Sequence, residues 1–270
     1  MTVEEMIAER TEKLEAIKDS SNATVAAKGG TPADNLSGLP AAIESIPSGS
    51  VNYLDYCQNA QFASLNLFGS KKVEIYLPNG RSLNNMFTPS YKTWAEYKAA
   101  ANTTVEELII HCPNKITGIQ QIFQMHTAMT DYKLKKITFD VDFSETTHFY
   151  YAFKGLNALE VIDGTPMYLG AVTGDLTNFW TSGENLREIR FAGKFARNWS
   201  FGSSPKKLSK DSIQNIMSCL SDDATGKTLT IPVAAVNSAF ETSKGTADGS
   251  TSAEWLALVE AHSNWTISLL

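Results

Sequence analysis

The stretch that decides the fold runs Leu134-Lys-Lys-Ile137-Thr-Phe139-Asp-Val-Asp-Phe143-Ser-Glu-Thr-Thr-His-Phe149-Tyr-Tyr-Ala-Phe153-Lys-Gly-Leu156-Asn-Ala-Leu159-Glu-Val-Ile162. It opens and closes on one phrase, a leucine followed three residues later by an isoleucine. The first copy adds an apolar residue two further on. The phrase recurs on both sides, as Val105 to Leu108 to Ile110 and as Leu186 to Ile189 to Phe191. Successive starts lie 29, 25 and 27 residues apart. Between the copies stands an apolar pair ending in a ring: Met86-Phe87, Ile122-Phe123, Ala152-Phe153 and Phe179-Trp180.

A period of 20–29 residues with one short strand per repeat is the pattern of leucine-rich repeats. One such unit cannot bury its apolar face alone; stacking units buries it in a continuous column and pairs the strands in parallel. The expected fold class is α/β, a leucine-rich-repeat-like solenoid with a short parallel sheet. An ordinary α/β domain with coincidentally spaced strands is the plainer alternative. Further strand-like pieces occur at Leu65–Leu67, Val73–Leu77 and Leu229–Ile231, and an insertion carries Trp94 and Tyr97. The repeat domain is placed at 51–232.

The end of the chain has a different pattern. Residues 208–220 put Ile213, Ile216, Met217 and Leu220 on one helical face behind Ser209 as N-cap. A second helix is expected from Val233 to Phe240 and a third behind Ser252. Trp265 to Leu269 alternates as a final strand. Solenoids need ends that close the column against water, so 233–270 is taken as a C-terminal cap.

The front differs again. Val3, Ile7, Arg10, Leu14 and Ile17 recur at spacings of 4, 3, 4 and 3, a short coiled-coil-like seam on an amphipathic helix over 2–19. Such a helix is marginal alone and needs a partner surface. Either it self-associates through Val3, Ile7, Leu14 and Ile17, or it docks on its own domain. Residues 20–50 are small and polar around one short helix at 39–46, with Leu36, Leu39, Ile43 and Ile46 at helical spacing. They are expected to form a tether with a docking knob.

Composition narrows the function classes. Hydrophobic residues make up 43% of the 270, enough for a core. Net charge is -6, so no basic excess points to nucleic acid. Cys57, Cys112 and Cys219 are too few and too far apart for a disulfide framework or a metal knuckle. No apolar run is long enough for a membrane span, and the acidic start is no export signal. The chain is therefore expected to be made in a cytoplasm. The four histidines, His111, His126, His148 and His262, form no metal-ligand motif. Asp140, Asp142, Glu145 and His148 are an oxygen-rich cluster that either binds a cation or is a solvated repeat edge. No catalytic residues, metal or cofactor are expected. Ligand contact is assigned to the aromatic residues Trp94, Tyr150, Tyr151 and Trp199, since Tyr and Trp give rigid contact area with a polar handle.

The phrase Ala152-Phe153-Lys-Gly155-Leu156-Asn-Ala-Leu159-Glu-Val-Ile162 resembles the BspA-like leucine-rich repeats of bacterial surface proteins. Residues 208–270 resemble the C-terminal part of such proteins in gut bacteria and their phages. Residues 28–46, Lys-Gly-Gly-Thr-Pro-Ala-Asp-Asn-Leu-Ser-Gly-Leu-Pro-Ala-Ala-Ile-Glu-Ser-Ile, resemble the attachment segment of tail and appendage proteins in phages of Firmicutes. The resemblance implies a non-enzymatic virion protein. Residues 1–50 would join other tail or baseplate proteins or form a homo-oligomer such as a trimer. The repeats would bind a host cell-surface glycan or protein. A bacterial adhesion module using the same repeats is the alternative, and a glycan-active tail enzyme is a third reading. The expected location is the virion.

Overall fold

The structure, a computed structural model, describes residues 71–77, 82–87, 104–123, 132–176, 179–180, 183–240 and 252–270, with Glu15, Lys18, Asp19, 21–23, Val25 and Asp34 near the start. The chain divides into two compact units, Met1–Val51 and Asn52–Leu270. In the first, Glu15, Lys18, Asp19, Ser21, Asn22, Ala23 and Val25 are helical. Helical conformation therefore persists beyond residue 19, where the polar run Ser20-Ser21-Asn22 suggested a stop. Propensity is a weak prior, and packing overrides it: Val25, three turns after Leu14 in sequence, is buried. Val3, Ile7, Leu14 and Ile17, the docking residues Leu36, Leu39, Ile43 and Ile46, and Trp94 lie outside the described residues.

The second unit is mixed α/β. Four strands, β1 (Lys72–Tyr76), β2 (Glu107–Lys115), β3 (Lys136–Asp142) and β4 (Val161–Gly164), form one sheet in chain order. All neighbours are parallel, pairing Lys72 with Glu107, Glu107 with Lys136, Lys136 with Val161, and Val161 with Glu188 beyond the sheet. The last three offsets are the 29, 25 and 27 residues of the repeat phrase. Strand alternation explains the phrase: side chains two apart share a face. Leu108, Ile110, Ile137, Phe139, Ile162, Ile189 and Phe191 are all buried, as are the leading Val105, Leu134, Leu159 and Leu186. β1 adds a unit in front of Val105. It is the strand-like piece expected at Val73–Leu77; its Val73 and Ile75 pair with Leu108 and Ile110, but a serine, Ser70, stands where the phrase has its leading leucine, which concealed that it belongs to the repeat.

The ring of each apolar pair stacks on the next unit's ring. Phe87 and Phe123 are 5.1 Å apart and nearly parallel, Phe123 and Phe153 are 6.4 Å apart, and Phe153 and Trp180 are 5.8 Å apart. All four rings are buried. This row is the spine of the core; Phe139 and Phe179 pack edge-on against its Phe153, and Phe191 packs edge-on against Phe179.

After β4 the ladder is interrupted. Ile162 N–H donates to the Glu188 carbonyl at 2.8 Å and Met167 N–H to that of Arg190 at 3.1 Å, so Asp163 to Pro166 bulge outward. Gly164 makes the turn at φ +87°, and a methyl there would lie 2.1 Å from the Phe139 carbonyl oxygen. Beyond it, β5 (Met167–Tyr168) pairs with β6 (Phe191–Ala192). A third parallel sheet joins β7 (Trp199–Ser200), β8 (Lys227–Ile231) and β9 (Trp265–Leu269). β9, expected in the cap, thus shares a sheet with β8, expected at the end of the repeats; the boundary at residue 232 runs through one sheet.

Helices α1 (Lys210–Ser218), α2 (Val233–Ala239) and α3 (Ala253–Ala261) follow in chain order; α1 and α3 begin where their capping serines predict, and α2 starts directly after Pro232 without a side-chain cap. Ser209 Oγ accepts from Ser212 N–H and Ser252 Oγ from Trp255 N–H. α1 also closes an open strand edge, which would otherwise expose unpaired backbone. Ser212 Oγ accepts from Ile189 N–H at 3.1 Å and donates to the Arg187 carbonyl at 3.0 Å. The Asn215 amide accepts from Phe191 N–H at 2.7 Å and donates to the Phe191 carbonyl at 3.1 Å, imitating a strand partner. Among the described residues no helix is long and apolar enough to cross a membrane.

Two stability predictions follow from this core. Phe153→Ala removes the ring between two stacked neighbours and should cost about 3–5 kcal/mol in urea denaturation. Phe153→Leu should cost clearly less. Gly164→Ala should lower the melting temperature because its methyl collides with backbone, whereas Gly174→Ala, whose methyl meets nothing within 4 Å, should not.

Candidate functional site

Each repeat presents two outer surfaces of different chemistry. The first is the outer side of the β1–β4 sheet. Just ahead of the strands, the residues at matching positions are Lys71, Glu106, Lys135, Glu160 and Arg187, joined in sequence by backbone N–H to carbonyl bonds. Their charges alternate along the stack. Glu106 lies between Lys71 at 3.3 Å and Lys135 at 2.7 Å, and Arg187 meets Glu160 at 2.7 Å. The Lys135 hydrogen bond, then that of Lys71, holds the Glu106 carboxyl below the usual carboxylate range. The hydrogen bond from Lys136 does the same for Asp163. A second row crosses the strands: His111 lies between Glu74, at Nε2, and Asp140, 2.8 Å from Nδ1, with the Tyr76 ring 5.7 Å away. Both bonds are made when both ring nitrogens carry hydrogen. This surface satisfies its own charges.

The second surface is the corner ahead of each stacking ring, where three doubled residues recur. Asn84-Asn85 precedes Met86-Phe87, Gln120-Gln121 precedes Ile122-Phe123, and Tyr150-Tyr151 precedes Ala152-Phe153. The second residue of each pair has positive φ: 56° at Asn85, 53° at Gln121 and 51° at Tyr151. That turn drives the following pair into the core and leaves the doubled residues at the rim, Tyr150 exposed and the other five half-buried. Backbone bonds set the doublets in register. Asn85 N–H donates to the Gln120 carbonyl and Gln121 N–H to the Tyr150 carbonyl, both at 2.9 Å. The Asn84 side-chain oxygen accepts from Gln120 N–H at 2.6 Å. Asn tolerates the left-handed region, whereas an ordinary side chain costs roughly 1–2 kcal/mol there. Gln121 and Tyr151 therefore strain the backbone in order to stand on this ridge.

Tyr150 is 44% exposed, and its ring centre is 4.2 Å from that of Tyr151. Lys154 Nζ sits 4.7 Å from the Tyr151 ring centre. A hydrogen bond with Tyr151, with partial desolvation second, pushes the Tyr150 phenol above its ordinary range. Flanking the doublets, Thr117, Thr147 and Thr173 form a further ladder, each N–H after the first donating to the previous carbonyl at 3.1 Å. Gly118 allows close approach here: a methyl would lie 2.8 Å from His148 Nε2 and 3.0 Å from the Asn84 side-chain oxygen.

The structure thus brings Tyr150 and Tyr151 together at the surface. Trp199 is a correction: it is fully buried and offers no face to a ligand. On β7 strand alternation turns it inward, against Phe191 at 4.9 Å, Phe201 at 5.5 Å and Phe195 at 5.6 Å. The oxygen-rich cluster is dispersed rather than gathered. Asp140 faces His111, Asp142 accepts from Ser144 N–H, Glu145 pairs with Lys115 and His148 with Thr147. Among the described residues no group of three His, Cys, Asp or Glu side chains is placed to hold a metal ion. His111 and Cys112 point to opposite faces of β2, the thiol lying in the core. Asn84, Asn85, Gln120 and Gln121 are not among the expected site residues, although doubling ahead of three of the four apolar pairs is visible in the sequence. No protein-family model, curated protein or solved structure matches the chain.

The charged surface gives a pH prediction. A carboxylate with a depressed pKa stabilises the fold fully above its ordinary value of about 4, and that contribution is lost as pH falls through the depressed value. Melting curves of Glu106→Gln should therefore fall less steeply than those of the parent between roughly pH 5 and pH 3.

Proposed function

We propose that the chain is a non-enzymatic virion protein of a phage tail or appendage, and that its repeat domain binds a host surface. In this reading the parallel units form a leucine-rich-repeat-like solenoid. Residues 1–50 carry the particle attachment, through the helix seam of Val3, Ile7, Leu14 and Ile17 and the docking residues Leu36, Leu39, Ile43 and Ile46. The observation that carries the binding role is the Tyr150–Tyr151 pair. Two adjacent tyrosines stand outside a core that buries nearly every other aromatic residue described, one of them at a strained φ of 51°. Backbone strain held in place by surrounding structure is a mark of functional sites. Rigid phenol rings are efficient contact surfaces because they lose little entropy on binding. Several copies on one particle would convert weak single-site affinity into firm attachment by avidity.

Deletion of residues 1–50 tests the division of labour. The truncated protein should lose the oligomeric state of the full chain in sedimentation and fail to enter virions, while keeping its melting temperature. Retention of both oligomerisation and incorporation would defeat the anchoring role. Tyr150→Ala in the full chain should weaken binding to host cells by about tenfold, the equivalent of about 1.4 kcal/mol, without changing the assembly state.

A further inference from the structure

The two surfaces of the repeats differ in charge more sharply than the composition suggests. The outer sheet side carries Lys71, Glu106, Lys135, Glu160 and their neighbours, largely in ion pairs. The corner segments 82–87, 117–123 and 147–153 contain no Asp, Glu, Lys or Arg at all. What they present is amide, hydroxyl and phenol: Asn84 and Asn85, Gln120 and Gln121, Tyr150 and Tyr151, with Thr117 and Thr147 alongside.

We infer that this ridge is a binding site for a neutral, extended glycan laid along the stack of repeats, with one sugar per repeat. The inference rests on the surface-binding reading above and names the ligand class of that same site. The chemistry fits hydroxyl-rich polymers. Side-chain amides both donate and accept, which matches sugar hydroxyls that do the same. A tyrosine ring packs against the C–H face of a pyranose while its hydroxyl bonds to the rim. The three segments carry no charged side chain of their own, and the cation beside them, Lys154, lies over the Tyr151 ring; a hydroxyl-rich neutral polymer matches amide, hydroxyl and phenol groups better than a charged or a largely apolar one.

Geometry supplies the second argument. Parallel backbone ladders space neighbouring strands by roughly 4.8 Å. The doublets are joined by such bonds, Asn85 to Gln120 and Gln121 to Tyr150. Equivalent side chains therefore advance by about the length of one pyranose unit in an extended glycan. A regular polymer can meet an amide, an amide and a ring at successive residues without changing its own period. The positive φ recurs at the second residue of each doublet, Asn85, Gln121 and Tyr151, so the corners share one backbone shape.

The test is affinity electrophoresis of the full chain through gels containing neutral polysaccharides, namely glucan, mannan and galactan. Polygalacturonate and teichoic acid serve as anionic comparisons, and host-cell binding is measured in parallel. At least one neutral polymer should retard the protein. Tyr150→Ala and Gln120→Ala should each reduce that retardation about tenfold at unchanged melting temperature. Lys136→Gln, on the sheet side, should not. Tyr150→Phe should keep most of the binding if ring packing dominates. Retardation by the anionic polymers alone, by none of the neutral ones, or by a neutral one equally well in both ridge variants overturns the inference. If cells still bind the ridge variants at full strength, the glycan ridge fails and the surface-binding function stands. If cells bind no form of the chain while a neutral polymer binds through the ridge, the function fails and the glycan site stands.

Discussion

The structure depends on one contact repeated along the stack: an aromatic ring lying on the ring of the preceding unit. Phe153 shows the constraint best, with Phe123 on one side and Trp180 on the other. Each unit is about 25–35 residues by the strand register and has no helix of its own between β3 and β4. It buries its ring only through its neighbours, so no unit is stable alone. Ring stacking holds neighbouring units close enough for their parallel backbones to hydrogen-bond. The backbone ladders on both outer surfaces follow from it.

Because those ladders are in register, any side chain at an equivalent position becomes one rung of a row. The rows then take on a single chemical character. Alternation of Lys and Glu ahead of the strands gives each charge an opposite partner above or below. Such exposed pairs are worth little individually, but like charges in the same row would repel. The corner rows need no such alternation, because their residues are uncharged. They form a row of amides and phenols at a fixed spacing, held in register by the same backbone bonds.

The ends obey the same logic. A stack of parallel strands leaves backbone groups open at its edge, and α1 answers with side chains in place of a strand. Asn215 supplies both the acceptor and the donor that a neighbouring peptide would give Phe191. Ser212 does the same for Ile189 and Arg187. The caps Ser209 and Ser252 were visible in sequence because an N-cap is a local rule. The roles of Ser212 and Asn215 were not visible, because their partners are more than 20 residues away.

The same distinction separates what was legible from what was not. The spacing of Leu134, Leu159 and Leu186 determined the strand register to the residue, because one buried leucine per unit must land in one column. The expected α/β class, the helices near the end and the strand at Trp265 were likewise carried by local pattern. β1 was legible as the strand-like Val73–Leu77, but Ser70 in the leucine position obscured its place in the repeat, and the interruption after β4 was obscured because only packing turns Gly164 outward. For the aromatic residues sequence carries identity but no direction: Trp199 and Tyr150 look alike as candidates, yet strand alternation buries the first and the corner ahead of the left-handed Tyr151 exposes the second. The sequence by itself determined the period and the apolar column. The tertiary structure alone decided which rows face water, because that depends on where each chain turn falls relative to its neighbours.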